Sequence, residues 1–144
     1  MKYKNAIEHA LENAGIPGKL IKRGDIWTIP DRIITFPTDR LPKSKRTTHD
    51  KRPVLILSCD EDLAKVRPLT ALISPLSTVK DKSATDFMLS AGTANLKEDS
   101  VVRLGLIQPI LKIDLKEKIG DLQLPVLDQI MTVLLCNLGI LQRP

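Results

Sequence analysis

The chain has 144 residues, of which 42% are hydrophobic and 27% are charged, a profile typical of one globular domain. No apolar run reaches the roughly 18 residues that a membrane-spanning helix needs, and the first residues lack the apolar stretch of a signal peptide, so we expect no membrane association. Two cysteines, Cys59 and Cys136, lie far apart beside apolar runs, which predicts small buried residues in a cytoplasmic protein.

The first part of the chain predicts a helix, two strands and a long intervening loop. Apolar residues recur at helical spacing over Lys4–Ala14. Lys22–Ile29 alternates apolar and polar residues, as a strand does. The polar segment Pro30–Lys51 predicts a loop with a short extended piece at Ile33–Phe36, and loops of this length are usually functional or mobile. Pro53–Ser58 is a dense apolar run of the length of a buried strand.

The rest of the chain predicts short strands followed by an apolar helix. The predicted strands are Val66–Ser74, Phe87–Leu89 at a sheet edge, Val101–Leu104 and Gln108–Lys112. Asp60–Lys65 and Asp114–Ile119 are typical of turns or short helices, and Gly105 of a bulge or kink. Pro125–Leu138 is strongly apolar and suits a helix that packs on a barrel or a partner. Five or so strands with one covering helix predict a small, mainly β barrel.

Positive charge is concentrated in one loop. The segment Thr38–Arg52 contains six basic and two acidic residues, a net +4 of the chain's +5. Such a cluster is typical of a protein that binds a phosphate backbone, although a solvated loop without a partner explains it equally well. Aromatic residues make up only 3% of the chain, so nucleic-acid binding would depend on charge and hydrogen bonds.

Four segments, in this order, resemble one protein family. Arg23–Trp27 (R-G-D-I-W) is similar to the opening of MazF/PemK toxins, and Arg52–Ser58 (R-P-V-L-I-L-S) resembles their R-P-V-L-I-V-S strand. Pro68–Thr70 is similar to the P-x-T that ends their next strand. The stretch Asp99–Gln108, followed by Ile119–Leu122 (I-G-D-L), resembles their S-V-V…Q…I-G-x-L segment before the last helix.

The resemblance implies a fold, an activity and partners. The fold would be an SH3-like barrel over residues 22–144, after an N-terminal helical extension over residues 1–21. The protein would form a homodimer, cleave single-stranded RNA such as mRNA without a metal, and be held in check by a cognate antitoxin protein. The sequence has no cluster of cysteine, histidine or carboxylate residues suited to a metal, and we expect no cofactor.

Three residues match or accompany the catalytic positions of the family. Arg52 matches the catalytic arginine, whose guanidinium would stabilise developing negative charge on the phosphate; alternatively it caps the strand or pairs with Asp50. Thr70 matches the active-site threonine, with an ordinary β-branched strand residue as the alternative. His49, in the basic loop, is a candidate general base or simply a loop residue.

Five further residues are candidates for RNA binding. Arg103 matches a second arginine of some family members, or is an exposed strand charge. The others are Gln108, Lys45, Arg46 and Lys51.

The sequence departs from the family in ways that keep other functions open. Many members carry an acid where this chain has Ile107, and the loop before Arg52 is longer than usual. The first hypothesis is an endoribonuclease toxin. The second is a non-catalytic protein of the same fold, either a nucleic-acid binder or a toxin resembling gyrase poisons. The third is a plain SH3-like interaction module, which the shortage of aromatic residues disfavours.

Overall fold

An antiparallel sheet and a C-terminal helix dominate the part of the chain that the structure, a computed structural model, describes. This part comprises residues 20–43, 46–78 and 81–144 with the isolated positions Ala6 and His9. Apart from those two positions, the predicted helix Lys4–Ala14 lies outside the described residues, as do most of the predicted extension and Lys45.

The described residues form seven strands, two α-helices and five 3₁₀ turns. The strands are β1 (Asp25–Pro30), β2 (Lys51–Ile56), β3 (Thr70–Ser77), β4 (Phe87–Leu89), β5 (Ser100–Val102), β6 (Gln108–Leu111) and β7 (Lys118–Asp121). The helices are α1 (Asp60–Ala64) and α2 (Leu124–Asn137). The 3₁₀ turns are Asp31–Ile33, Pro37–Arg40, Thr93–Asn95, Leu104–Leu106 and Lys112–Asp114.

β3 pairs with three other strands, and this arrangement sets the geometry of the sheet. The strand order is β4-β5-β3-β2-β1-β7, and β6 pairs with β3 beside its first half. Pro75 lies where β3 changes its partner from β6 to β5. Its carbonyl accepts a hydrogen bond from the Arg103 N–H on that side at 2.9 Å. A proline therefore fits inside this strand, because neither β6 nor β5 pairs with β3 at this position and its lack of an N–H breaks no hydrogen bond between strands.

β2 has apolar residues on both faces because the sheet separates two hydrophobic cores. Val54 and Ile56 pack into one core with Trp27. Leu55 and Leu57 pack into the other. A strand that is buried on both faces has a continuous apolar sequence, as the run in β2 predicted.

α2 packs on the second of these cores. Leu127 and Ile130 are its buried residues. Pro125 stands in the first turn, where its missing N–H breaks no helical hydrogen bond, and Gly139 follows the helix with a φ of 75°. Within the described residues, no helix combines the length and the apolar character needed to cross a membrane.

The R-G-D-I-W segment has a structural role. Gly24 has a φ of 91°, a left-handed conformation that favours glycine, and it turns the chain into β1. The buried Asp25 accepts hydrogen bonds from the Lys22 N–H at 2.9 Å and from the Trp27 indole at 3.2 Å. These hydrogen bonds satisfy the buried carboxylate of Asp25 and the buried indole N–H of Trp27.

The I-G-D-L segment also has a structural role. Gly120 lies in β7, and a Cβ at this position would overlap the carbonyl oxygen of Ala94. Ala94 and Asn95 have left-handed φ values of 49° and 63°, and the Asn95 amide donates to the Ile119 carbonyl at 3.0 Å. Glycine is therefore needed because the turn Thr93–Asn95 lies directly against β7.

The mainly β architecture with a C-terminal helix is confirmed, while several element boundaries were wrong. β3 begins later than predicted, at Thr70, and it also ends later because it crosses Pro75. The segment predicted as a turn before the last helix instead includes the start of β7. The short extended piece predicted at Ile33–Phe36 is present at Ile34 and Phe36, whose backbone is extended, while Ile33 ends the first 3₁₀ turn. Cys59 is exposed just before α1, contrary to the expectation of a buried thiol.

Candidate active site

Arg52 lies at the start of β2 with its side chain largely buried. Its Nε donates to Oδ1 of Asp31 at 2.7 Å, and its Nη1 donates to the Leu76 carbonyl at 2.8 Å. Its Nη2 is 3.5 Å from the other carboxylate oxygen of Asp31. Only 10% of the Arg52 side chain is exposed. Because a guanidinium carries five N–H donors, these contacts fix its plane and still leave donors for a ligand.

Asp31 is the acidic partner of Arg52, in place of the neighbouring Asp50 considered from the sequence. Its side chain is fully buried, and it also accepts hydrogen bonds from Nη1 of Arg46 at 2.9 Å and from the His49 N–H at 2.8 Å. Burial alone would raise the pKa of Asp31, but the hydrogen bonds from Arg52 and His49 and the charges of Arg52 and Arg46 hold the pKa below its usual value. Sequence reasoning missed Asp31, although a buried arginine needs a buried carboxylate.

Phe36 joins the long loop to the same site. The Arg46 guanidinium lies 4.3 Å from the centroid of the Phe36 ring, and that of Arg52 lies 5.0 Å from it. Arg46 also donates to Asp39 at 3.0 Å. These cation–π contacts and ion pairs attach the loop between β1 and β2 to Arg52.

Two adjoining clefts open beside Arg52. The first cleft, of about 190 Å³, is lined by residues of β2, the end of β3 and the segment before β5. The second cleft, of about 460 Å³, lies under the long loop. The two clefts share four of their lining residues: His49, Arg52, Ser77 and Thr78. The structure thus brings the predicted residues Arg52 and His49 together.

Ser77 is the hydroxyl residue that faces Arg52 across the sheet. Val54 pairs with Pro75 in the antiparallel β2–β3 register, and continuing that register places Arg52 opposite Ser77. Sequence reasoning missed Ser77 because it ended β3 before Pro75. The available signal was topological: a residue that begins one strand of an antiparallel pair faces the end of the other.

Thr70 is not brought to this site. It is exposed at the first position of β3, where it pairs with Leu111 of β6. Ser77 lies seven positions further along the extended strand, which corresponds to about 23 Å. The P-L-T segment therefore begins β3 rather than ending a strand.

Arg103 directly follows β5 and approaches Ser77, while two aspartates hold its guanidinium. Its Nη1 donates to Asp86 at 3.0 Å, and its Nη2 donates to Oδ1 of Asp81 at 3.2 Å. The same Nη2 is 3.5 Å from the Ser77 hydroxyl. Only 14% of the Arg103 side chain is exposed. These contacts are typical of a residue that orients Ser77. They argue against the alternative interpretation of Arg103 as a freely exposed charge on a strand.

Gln108 binds protein backbone. Its Oε1 accepts a hydrogen bond from the Thr35 N–H at 2.8 Å, and its Nε2 donates to the Thr35 carbonyl at 3.1 Å. The same nitrogen donates to the Leu106 carbonyl at 2.9 Å. Its amide group thus joins the long loop to β6 and lines neither cleft.

The predicted basic residues differ in their position. Arg46 lines the second cleft and Lys51 the first. The exposed Lys51 ammonium lies 2.8 Å from Glu117, whose hydrogen bond and charge raise the pKa of Lys51. Lys45 lies outside the described residues. Within the described ranges, no group of three or more histidine, cysteine or acidic residues could hold a metal ion.

Comparisons with known proteins identify the family. Residues 22–137 match the model of the PemK-like, MazF-like toxins of type II toxin-antitoxin systems. The structure is similar to that of an endoribonuclease from a mycobacterial species, with 17% identity over 88% of this chain and 97% of that one and a TM-score of 0.62. It is also similar to a mycobacterial endoribonuclease in complex with its cognate antitoxin, with 16% identity over 85% and 99% of the two chains and a TM-score of 0.61.

A third similar structure has a higher identity over a shorter stretch. It is the Mycobacterium tuberculosis toxin MazF-mt6, with 28% identity over 65% of this chain and 91% of that one and a TM-score of 0.53. No curated protein sequence matches the chain. Because the family model spans most of its length, the protein belongs to the PemK-like, MazF-like toxins of type II toxin–antitoxin systems.

Proposed function

We propose that this protein is an endoribonuclease toxin that cleaves single-stranded RNA without a metal ion. The observation that supports this most strongly is the meeting of Arg52, Ser77 and His49 at one pair of clefts. A fixed guanidinium, a hydroxyl and an imidazole are the groups that a metal-free phosphoryl transfer needs.

In this reaction a general base removes the proton from a ribose 2′-hydroxyl, and the 2′-oxygen attacks the adjacent phosphorus. The bond from phosphorus to the 5′-oxygen breaks, and that oxygen takes up a proton. The products are a 2′,3′-cyclic phosphate and a 5′-hydroxyl. Negative charge builds up on the non-bridging phosphate oxygens, where a preorganised donor stabilises the transition state most effectively.

Arg52 would supply that donor. Asp31 and the Leu76 carbonyl hold its plane, so its remaining N–H groups need little reorganisation when phosphate arrives. A guanidinium has too high a pKa to act as the base. His49, which lines both clefts, is our candidate for the base, since histidine accepts protons near neutral pH.

Ser77 would bind a phosphate oxygen, which is the role that the sequence motif assigned to Thr70. Arg103 lies next to the Ser77 hydroxyl and would keep it oriented, besides adding positive charge near the phosphate. Arg46 and Lys51 would contact neighbouring phosphates from the walls of the clefts, as the sequence predicted for both, and Lys45 from the same loop.

The family assignment also supports proposals about partners. A type II toxin is expected to bind a cognate antitoxin protein, as the similar mycobacterial endoribonuclease does. We propose the same for this chain, together with a homodimeric state, a cytoplasmic location and a barrel domain over residues 22–144.

The test is cleavage of single-stranded RNA by purified protein in the presence of EDTA. We expect cutting by the wild type and a loss of about 100-fold in rate for Arg52→Lys, which keeps the charge but lacks the planar fork. Arg67→Lys, at an exposed arginine outside the clefts, is the matched control and should cut normally. Intact RNA with the wild type, or an unchanged rate for Arg52→Lys, would contradict the proposal. RNA binding without cleavage would favour the non-catalytic alternative.

A further inference from the structure

The first cleft does not end beside Arg52 but continues into a third cleft of about 510 Å³. The first and third clefts share four lining residues, among them Pro53 and Glu98. Since the first cleft also shares Arg52 with the second, the three form one groove that passes the proposed reaction centre. Such a groove suits an extended single strand.

The chemistry of the groove changes from one end to the other. The second cleft carries Arg46, Arg52 and His49 beside two aspartates. The third cleft has apolar walls, one lysine, Lys97, and two carboxylates, Glu98 and Glu117. Because a carboxylate repels phosphate and the carboxylates outnumber the ammonium here, this end of the groove is less suited to the RNA backbone than the arginine-lined end.

The two carboxylates are not equivalent. Glu117 is neutralised by Lys51, whose ammonium lies 2.8 Å from its Oε1. Glu98 is exposed, and its carboxylate makes no hydrogen bond or ion pair with any other described residue. Only its backbone carbonyl is used, as acceptor for the Ser100 hydroxyl at 3.0 Å. Glu98 therefore offers two acceptor oxygens to a ligand in the groove.

We propose that the third cleft binds a nucleobase next to the scissile phosphate, and that the Glu98 carboxylate selects guanine there. This inference rests on the proposed function and adds a specificity-determining residue to it. The base would stack on the apolar wall formed by Pro53, Leu96 and Ile119. Its edge would then donate N–H groups to Glu98.

Guanine fits a carboxylate better than the other bases do. Its Watson–Crick edge presents two neighbouring donors, N1–H and the N2 amino group, which match the two oxygens of one carboxylate. Adenine and cytosine offer a single amino group on this edge, and uracil offers one N–H flanked by two carbonyl oxygens that a carboxylate repels. Single-stranded RNA is commonly recognised through this edge.

The test is the base composition around the cut in RNA of random sequence, determined by sequencing the fragments. We expect the wild type to prefer guanine at one position beside the cut by about tenfold or more, the discrimination of a good bidentate contact. Glu98→Gln, which has only one acceptor oxygen, should lose most of that preference. Glu117→Gln is the matched control in the same cleft and should keep it.

A separate binding measurement distinguishes failure of this inference from failure of the proposed function. Sequencing of random RNA with 2′-O-methyl riboses, which this reaction cannot cleave, after retention on immobilised protein should give the same guanine enrichment, and replacing guanosine with inosine, which lacks the N2 amino group, should reduce it. Cleavage or retention with no guanine preference in the wild type would overturn the inference. So would a preference that Glu98→Gln leaves unchanged. Retention with guanine enrichment but no cleavage would overturn only the proposed function.

Discussion

Replacing Asp31 with asparagine removes the negative charge that holds Arg52 and Arg46 together. The Asp31 side chain is fully buried and that of Arg52 is 10% exposed, so the substitution would leave a largely buried guanidinium without a counter-charge. Loss of one partner from a buried pair typically lowers the free energy of unfolding by about 3–5 kcal/mol. We expect Asp31→Asn to destabilise the protein by an amount in that range.

Urea unfolding monitored by fluorescence measures this effect, since Trp27 is the only tryptophan in the chain and is buried. Asp39→Asn is the control, because Asp39 binds Arg46 through one hydrogen bond with 37% of its own side chain exposed. An exposed pair of this kind is worth about 1 kcal/mol or less. If Asp31→Asn cost no more than Asp39→Asn, Arg52 would not depend on Asp31 in the way we infer.

The pH dependence provides a second readout of the same pair. The pKa of Asp31 is lowered in the folded state, so its stabilising effect is fully present above the unfolded value of about 3.9 and is lost as the pH falls toward the folded value. The difference in stability between wild type and Asp31→Asn should therefore be constant near neutral pH and shrink below about pH 4. A difference that grew on acidification would contradict this sign.

Three other predictions concern single positions. Gly120→Ala should destabilise the protein by about 1–3 kcal/mol in the same urea assay, because the added methyl meets backbone at Ala94, whereas Gly105→Ala, whose added methyl meets only the Thr85 side chain at 3.5 Å, is the control. Ser77→Ala should slow RNA cleavage in the EDTA assay about tenfold or more while Thr70→Ala cuts at the wild-type rate; the reverse result would restore the assignment made from the sequence. Lys112→Met should cost about 1–3 kcal/mol, because the buried ammonium donates to two carbonyls at the end of α1, at 2.6 and 2.8 Å, that would be left unpaired; an unchanged urea midpoint would contradict it.

The parts of the fold that the sequence predicted are those determined by local patterns. The apolar run of β2 and the helix α2, with Pro125 at its start and Gly139 beyond its end, could be located because periodicity and capping residues act within a few positions. The end of β3 could not, because Pro75 is accommodated only where two other strands meet. The tertiary arrangement of the sheet decided that boundary.

In the candidate site, too, the residues within a local motif could be predicted and those brought in by the tertiary fold could not. Arg52 was identified by motif, but its partner Asp31 lies 21 positions earlier in the chain and was missed. The hydroxyl was assigned to Thr70 because a three-residue motif was used without the strand register, which brings Ser77 to Arg52 instead. No sequence pattern indicated a role for Glu98. Its importance depends on the path of the groove, which brings this exposed glutamate next to the proposed position of a ligand.

The ion pairs around the groove change what its positive charge means for RNA. The basic loop suggested a strongly cationic surface, yet three arginines around the proposed reaction centre and Lys51 already have carboxylate partners. These pairs are Arg46 with Asp31 and Asp39, Arg52 with Asp31, Lys51 with Glu117, and Arg103 with Asp81 and Asp86. A phosphate that enters must compete with a carboxylate for its cation, so fewer phosphates are neutralised and fewer counterions are released from the RNA. A plot of the logarithm of RNA affinity against the logarithm of salt concentration falls by about 0.7 per neutralised phosphate for a single strand. We expect a smaller slope than a count of the basic residues would suggest.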